Sequence, residues 1–149
     1  MFKNILCATD LNPRSLNAIK ITISLAEKYN SLIKVLNVQE NFTSKEEMMM
    51  SRVSTLKIKE DNVKIANEAK KQLDILFNSL DQSPDNIEIL LRDGKAEKEI
   101  VETAEELGID LIVMGTNGTD EISDYFLGST AAIVVKKSHC PVLVIPNIK

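Results

Sequence analysis

A chain of 149 residues, 44% of them hydrophobic and 27% charged, has the length and residue usage of one soluble globular domain. Two cysteines, Cys7 and Cys140, far apart and without metal-ligand spacing, suggest neither a disulfide framework nor a zinc site, and no apolar stretch approaches the about 20 residues of a membrane helix. A net charge of −4 speaks against general attraction to nucleic acid or an acidic membrane, though a local phosphate site can exist on an acidic protein.

Ile5 to Thr9 is a compact apolar run stopped by Asp10, Asn12 and Pro13, which predicts a strand buried on both faces entering a turn. The run is too short for a signal-peptide core and lacks a cleavage pattern, so a cytoplasmic location is the expectation. Pro13 suits a first helical turn, and Leu16, Ile19, Ile23 and Ala26 recur at helical spacing until Tyr29 and Asn30. Leu32 to Val38 is a second strand. After a polar stretch and the run Met48, Met49 and Met50, the residues Val63, Ala66, Ala69, Leu73, Leu76 and Leu80 form one stripe of a long helix starting near Met50. Ser83, Pro84 and Asp85 break it, and Ile87 to Leu91 makes a third strand. Ile100, Ala104 and Leu107 mark a shorter helix ended by Gly108. Leu111 to Met114 is the fourth strand, Ser129 to Lys137 a short helix, and Pro141 to Ile145 the last strand. Strands alternating with helices imply an α/β domain over residues 1–149: one open parallel five-stranded sheet, Rossmann-like, with right-handed crossovers and helices on both faces.

In such a sheet ligands bind beyond the carboxyl ends of the strands where the strand order reverses. With the expected order 3-2-1-4-5 that point lies between the first and fourth strands, where Thr9 and Asp10 face Met114 and Gly115. Thr116, Asn117 and Gly118 follow, then the loop Thr119 to Leu127, then Gly128, Ser129 and Thr130 opening a helix. Glycines let a backbone approach an anion closely, and the free amides of a helix N-terminus bind phosphate. The same glycines could merely turn the chain, with Ser129 capping the helix.

The spacing Gly115, Gly118, Gly128, Ser129, with two and then nine intervening residues, resembles the nucleotide-binding signature of the ATP-binding branch of the universal stress protein family. The opening stretch Ile5 to Pro13 resembles that family's first strand and turn, and His139 to Val144 its last. The resemblance spans the whole chain. It implies that Asp10, following Thr9, meets the ribose or the adenine edge, and that Ala8 and Val38 help to enclose the base. It further implies that Met114, Gly115 and Gly118, with Asn117 between the glycines, line sugar and phosphates, and that Gly128, Ser129, Thr130 and Ala131 hold the phosphate tail. Asp10 could instead make an Asx-type turn before Pro13, and Val38 ordinary core packing. The loop carries Asp120, Glu121 and Asp124 and no Lys or Arg, so either a magnesium ion accompanies the phosphates or these acids face water.

The function expected is an ATP-binding stress or signalling module. The alternative is an enzyme, a slow ATPase or phosphotransferase using the Ser129 region. Catalysis has less support: the loop is not a Walker motif, Ser129 has no visible base partner, and the one histidine, His139, reads as a surface or packing residue. A phospho-receiver, suggested by Asp10 at a strand end, leaves the glycine signature unexplained. Val142 to Ile145 make an apolar edge strand, a pairing hazard if bare, and the family resemblance implies a homodimer through it. Cys7, in a central strand, and Cys140, before the edge strand, are expected as free thiols.

Overall fold

The computed structural model describes residues 1–10, 15–39, 67, 68, 71, 72, 74, 75, 78, 86–116 and 128–146. Within them the chain runs β1 (Asn4–Ala8), α1 (Leu16–Tyr29), β2 (Leu32–Gln39), β3 (Ile87–Asp93), α2 (Ala96–Glu106), β4 (Leu111–Gly115), α3 (Ser129–Lys137) and β5 (Val142–Ile145). All strand pairs are parallel, in the order β3-β2-β1-β4-β5. Fold class and strand order are therefore as the sequence predicts. Asn67, Glu68, Lys71, Gln72, Asp74, Ile75 and Asn78 are helical and exposed. The stripe Val63, Ala66, Ala69, Leu73, Leu76 and Leu80 lies outside the described residues, as do Met48 to Met50 and Pro13.

Period-two alternation sorts the strand residues onto two apolar layers. Ile5 and Cys7 of β1, Ile33 and Val35 of β2, Leu111 and Val113 of β4 and Ile145 of β5 pack with Ala18, Ile19, Ile23 and Ala26 of α1. On the opposite face Leu6, Ala8, Leu36, Ile112 and Met114 pack with Ile100 and Ala104 of α2 and Ala131 and Val134 of α3. The central strands are buried from both sides, which is why β1 and β4 read as unbroken apolar runs rather than alternating ones. Helix α1 ends at Asn30, whose left-handed φ of 54° lets the following Ser31 N–H fold back onto the Ala26 carbonyl at 2.9 Å. Beyond it Ser31 donates its hydroxyl to the Phe2 carbonyl, while Asn86 donates to the Ser31 carbonyl, tying the amino ends of β1, β2 and β3 together. No helix among the described residues is long and apolar enough to cross a membrane.

Both cysteines are free. Burial pushes the Cys7 thiol from 9.0 up to about 11, opposed by a smaller effect of its hydrogen bond with Thr22. Because the folded state holds this proton more tightly than the unfolded chain, the contribution is fully present below pH 9 and fades as pH rises from 9 toward 11. At about 1.4 kcal/mol per pKa unit, roughly 2 to 3 kcal/mol of unfolding free energy should be lost over that window. Denaturant titrations at pH 8 and pH 11 check this: a Cys7→Ala protein should show a smaller drop by about that amount. An equal drop in both proteins would contradict the assignment.

Candidate functional site

The carboxyl ends of β1 and β4 lie side by side, Ala8 paired with Met114. The strand order reverses at β1, with α1 and α3 packed on opposite faces of the sheet, and it is beyond such a point that open parallel sheets bind ligands. β1 delivers Ala8 and Thr9, both buried, and Asp10, which is exposed at the rim. β2 delivers the half-buried Val38, which packs with the α2 and α3 layer. β4 delivers Met114, 4% exposed, and Gly115. Its ladder runs one step further, the Thr116 N–H donating to the Ile145 carbonyl at 3.0 Å.

Gly128 is the N-cap of α3, with φ 79° and ψ 149° and no side-chain cap hydrogen bond. Ser129 is thus the first residue of the helix and not its cap. The first intrahelical bond joins the Ala132 N–H to the Gly128 carbonyl at 3.1 Å. By helix geometry the amides of Ser129, Thr130 and Ala131 have no intrahelical acceptor, and the helix dipole adds partial positive charge at the same end. Ser129 is exposed, Thr130 half-buried, and the Ala131 methyl buried in the apolar layer, so Ala131 has only its backbone to offer a ligand. Such an arrangement can bind an anion without a basic side chain. The two core glycines differ. Gly128 needs its freedom for the backbone turn itself, whereas at Gly115 an added Cβ would meet only the Ile145 carbonyl oxygen, at 3.9 Å.

Ala8, Thr9, Asp10, Val38, Met114 and Gly115 are therefore brought to one end of the sheet, and Gly128, Ser129, Thr130 and Ala131 form the start of α3. Asn117 and Gly118 lie outside the described residues, as do Asp120, Glu121 and Asp124. His139 lies two residues past the other end of α3, a helix that spans about 12 Å from Ser129 at 1.5 Å per residue, with its side chain 72% exposed and 3.9 Å from Glu105. It cannot serve Ser129 as a base from there. No cluster of three or more His, Cys, Asp or Glu side chains suited to a metal occurs among the described residues.

A polar group behind Asp10 is not apparent from sequence patterning. Asn37 of β2, 3% exposed, donates from Nδ2 to the Thr9 carbonyl at 2.9 Å. The Thr9 N–H donates to the Leu36 carbonyl at 2.9 Å, and the Thr9 and Ser15 hydroxyls lie 2.7 Å apart. The only hint in the sequence is an amide where the spacing of Ile33 and Val35 calls for another apolar residue.

A family model described as the universal stress protein family matches residues 1–146. Universal stress protein MJ0531 of Methanocaldococcus jannaschii is 32% identical over 152 residues, which cover 100% of this chain and 85% of the relative. Among solved structures, the universal stress protein UspA from Lactobacillus plantarum matches with a TM-score of 0.74 at 21% identity, covering 97% of each chain. A universal stress protein in complex with cAMP matches with a TM-score of 0.66, also at 21% identity, over 99% of this chain and 98% of the other. At these identities the structural likeness speaks for the fold.

Proposed function

Since the chain belongs to the universal stress protein family, we propose that it is a cytoplasmic stress or signalling module that binds ATP, with magnesium, at the carboxyl end of its sheet. The observation that carries this reading is the start of α3: Gly128 in a glycine-only conformation opens a helix whose first three amides have no intrahelical acceptor and can serve a phosphate. Asp10 at the rim meets the nucleoside end, Ala8, Val38 and Met114 back the base, and Gly115 together with Asn117 and Gly118 follows the sugar and phosphates. A relative of the same fold solved with cAMP supports a nucleotide as the ligand class. The test is to denature protein purified from its own cells, identify the nucleotide released, and titrate the stripped protein with magnesium and ATP by calorimetry. Release of no nucleotide together with no heat of binding would refute the reading.

Two substitutions grade the site. Ser129→Ala removes one hydroxyl while leaving the helix amides, so ATP affinity should fall by about 1.5 to 3 kcal/mol, the usual worth of a hydrogen bond to a charged acceptor. Asp10→Ala should weaken ATP by less than a change at Gly128 and leave inorganic tripolyphosphate binding as it was, since its contact is with the nucleoside. Equal losses for the two ligands on Asp10→Ala would misassign that carboxylate. Hydrolysis should be slow at most: Ser129 has no base beside it among the described residues, and His139 is at the wrong end of the helix. Time-resolved product formation with purified protein separates binding from turnover.

We further expect a homodimer through β5. The strand is at the edge of the sheet, and Leu143 on it is 37% exposed. A bare apolar edge invites pairing, and pairing with a second copy across a twofold axis buries it. Leu143→Lys should shift the protein to monomer, because a charge buried at an apolar interface is costly, whereas Val144 packs in the protomer's own apolar layer. Sedimentation at high micromolar concentration decides this, and a monomeric wild type would refute it.

A further inference from the structure

Buried amides cost free energy unless they are hydrogen-bonded, and a Leu at position 37 would simply continue the apolar layer of Ile33 and Val35. Asn37 spends its donor on the carbonyl of Thr9, the residue immediately before Asp10. The peptide unit is planar, so the direction of the Thr9 carbonyl also fixes the direction in which the Asp10 N–H and α-carbon leave it. The same residue is held from its other side by the bond from its N–H to the Leu36 carbonyl, and its hydroxyl meets that of Ser15 at the start of α1. Three bonds from two other elements thus converge on a single residue at a strand end, where the chain would otherwise turn freely into the loop.

We infer that Asn37 is a positioning residue for the nucleotide site: through the Thr9 to Asp10 peptide it fixes where the Asp10 carboxylate stands at the rim, with Ser15 as the second anchor. This rests on the reading of the site as a nucleotide site. Asn37 itself is buried on the Ile33 and Val35 face of β2 and acts through the Thr9 carbonyl, the peptide that leads into Asp10. That makes it selective: it acts on the nucleoside end and leaves the phosphate end at α3 untouched.

The test uses the full chain as wild type, Asn37→Leu, Ser15→Ala, Asp10→Ala and the double variant Asp10→Ala with Asn37→Leu, each titrated with magnesium-ATP and with inorganic tripolyphosphate. Asn37→Leu should weaken ATP about tenfold and Ser15→Ala about threefold, as one lost hydrogen bond allows, with tripolyphosphate affinity unchanged. In the Asp10→Ala background Asn37→Leu should change ATP affinity by less than about twofold, because the two residues act as one unit. Parallel losses for both ligands, or an undiminished Asn37 effect without Asp10, would overturn the inference. Hydrogen exchange of the nucleotide-free proteins gives an independent readout: the amides of Thr9, Asp10, Ser15 and Leu16 should exchange faster in Asn37→Leu and in Ser15→Ala while β4 and β5 keep their protection. Unchanged exchange in both variants overturns the tether. A wild type that takes no ATP refutes the nucleotide reading, and the exchange measurement then decides the tether by itself. Should Asn37→Leu not fold, the half-exposed Ser15→Ala carries both readouts.

Discussion

Replacing Gly128 by Val is expected to abolish measurable binding of magnesium-ATP, a loss of at least about 100-fold, while circular dichroism still reports a folded α/β protein. A φ of 79° with a ψ of 149° is open in practice to glycine alone. Any side chain there either carries strain of about 1 to 3 kcal/mol or forces the backbone to negative φ, which reorients the first turn of α3 and its amides. A branched side chain also adds bulk at the point where the proposed phosphate contact needs a close backbone approach. About 2.7 kcal/mol already corresponds to a factor of 100 in affinity, so strain and bulk together account for the expected loss. Gly128→Ala isolates the strain and should fall between the two. Retained ATP affinity in a folded Gly128→Val protein would remove the phosphate cradle and leave a likeness of fold alone. Gly118→Val should act in the same direction by bulk.

The largest effect on stability is expected at Ile112. It is fully buried, pairs with Leu6 on one side and Val142 on the other, and belongs to the apolar layer beneath α2 and α3. Ile112→Ala removes its buried methyl and methylene groups and leaves a cavity that strands fixed by ladders on both sides cannot close, a cost of about 3 to 4 kcal/mol. Scaled to a domain of this length the melting temperature should drop by roughly 10 °C. Leu32→Ala provides the contrast: Leu32 is 54% exposed at the start of β2, and its loss should stay within about 0.5 kcal/mol. Thermal unfolding of the two variants side by side is the check, and a similar shift for both would mean that the two-layer core is misassigned.

How far the sequence carries the fold differs from element to element. Ser129 to Lys137 is predicted to the residue, although the cap is Gly128 and not Ser129. β3 is longer than predicted: Arg92 and Asp93, beyond the apolar run Ile87 to Leu91, pair with Val38 and Gln39, so tertiary pairing extends the strand past its apolar residues. The apolar run beginning at Ile5 reads correctly, but β1 starts at Asn4, whose backbone exchanges hydrogen bonds with Asp110 across the sheet, a partner invisible to any local pattern. At the candidate site the glycines and Asp10 are legible because their chemistry is distinctive at short range. Asn37 is not. Its bond to Thr9 spans 28 positions, and only the β1/β2 register brings the two together.

That register has a temporal side. β1 is made first yet takes the middle position, with β2 on one edge and β4 on the other. β2 emerges from the ribosome soon after it, but Leu111, which pairs with Ile5, follows roughly a hundred residues later. At about 5 to 20 residues per second, the β4 edge of β1 stays unpaired for roughly 5 to 20 s of every synthesis. Throughout that interval Ile5, Leu6 and Cys7, which the finished domain hides completely, are available to chaperones or to neighbouring nascent chains.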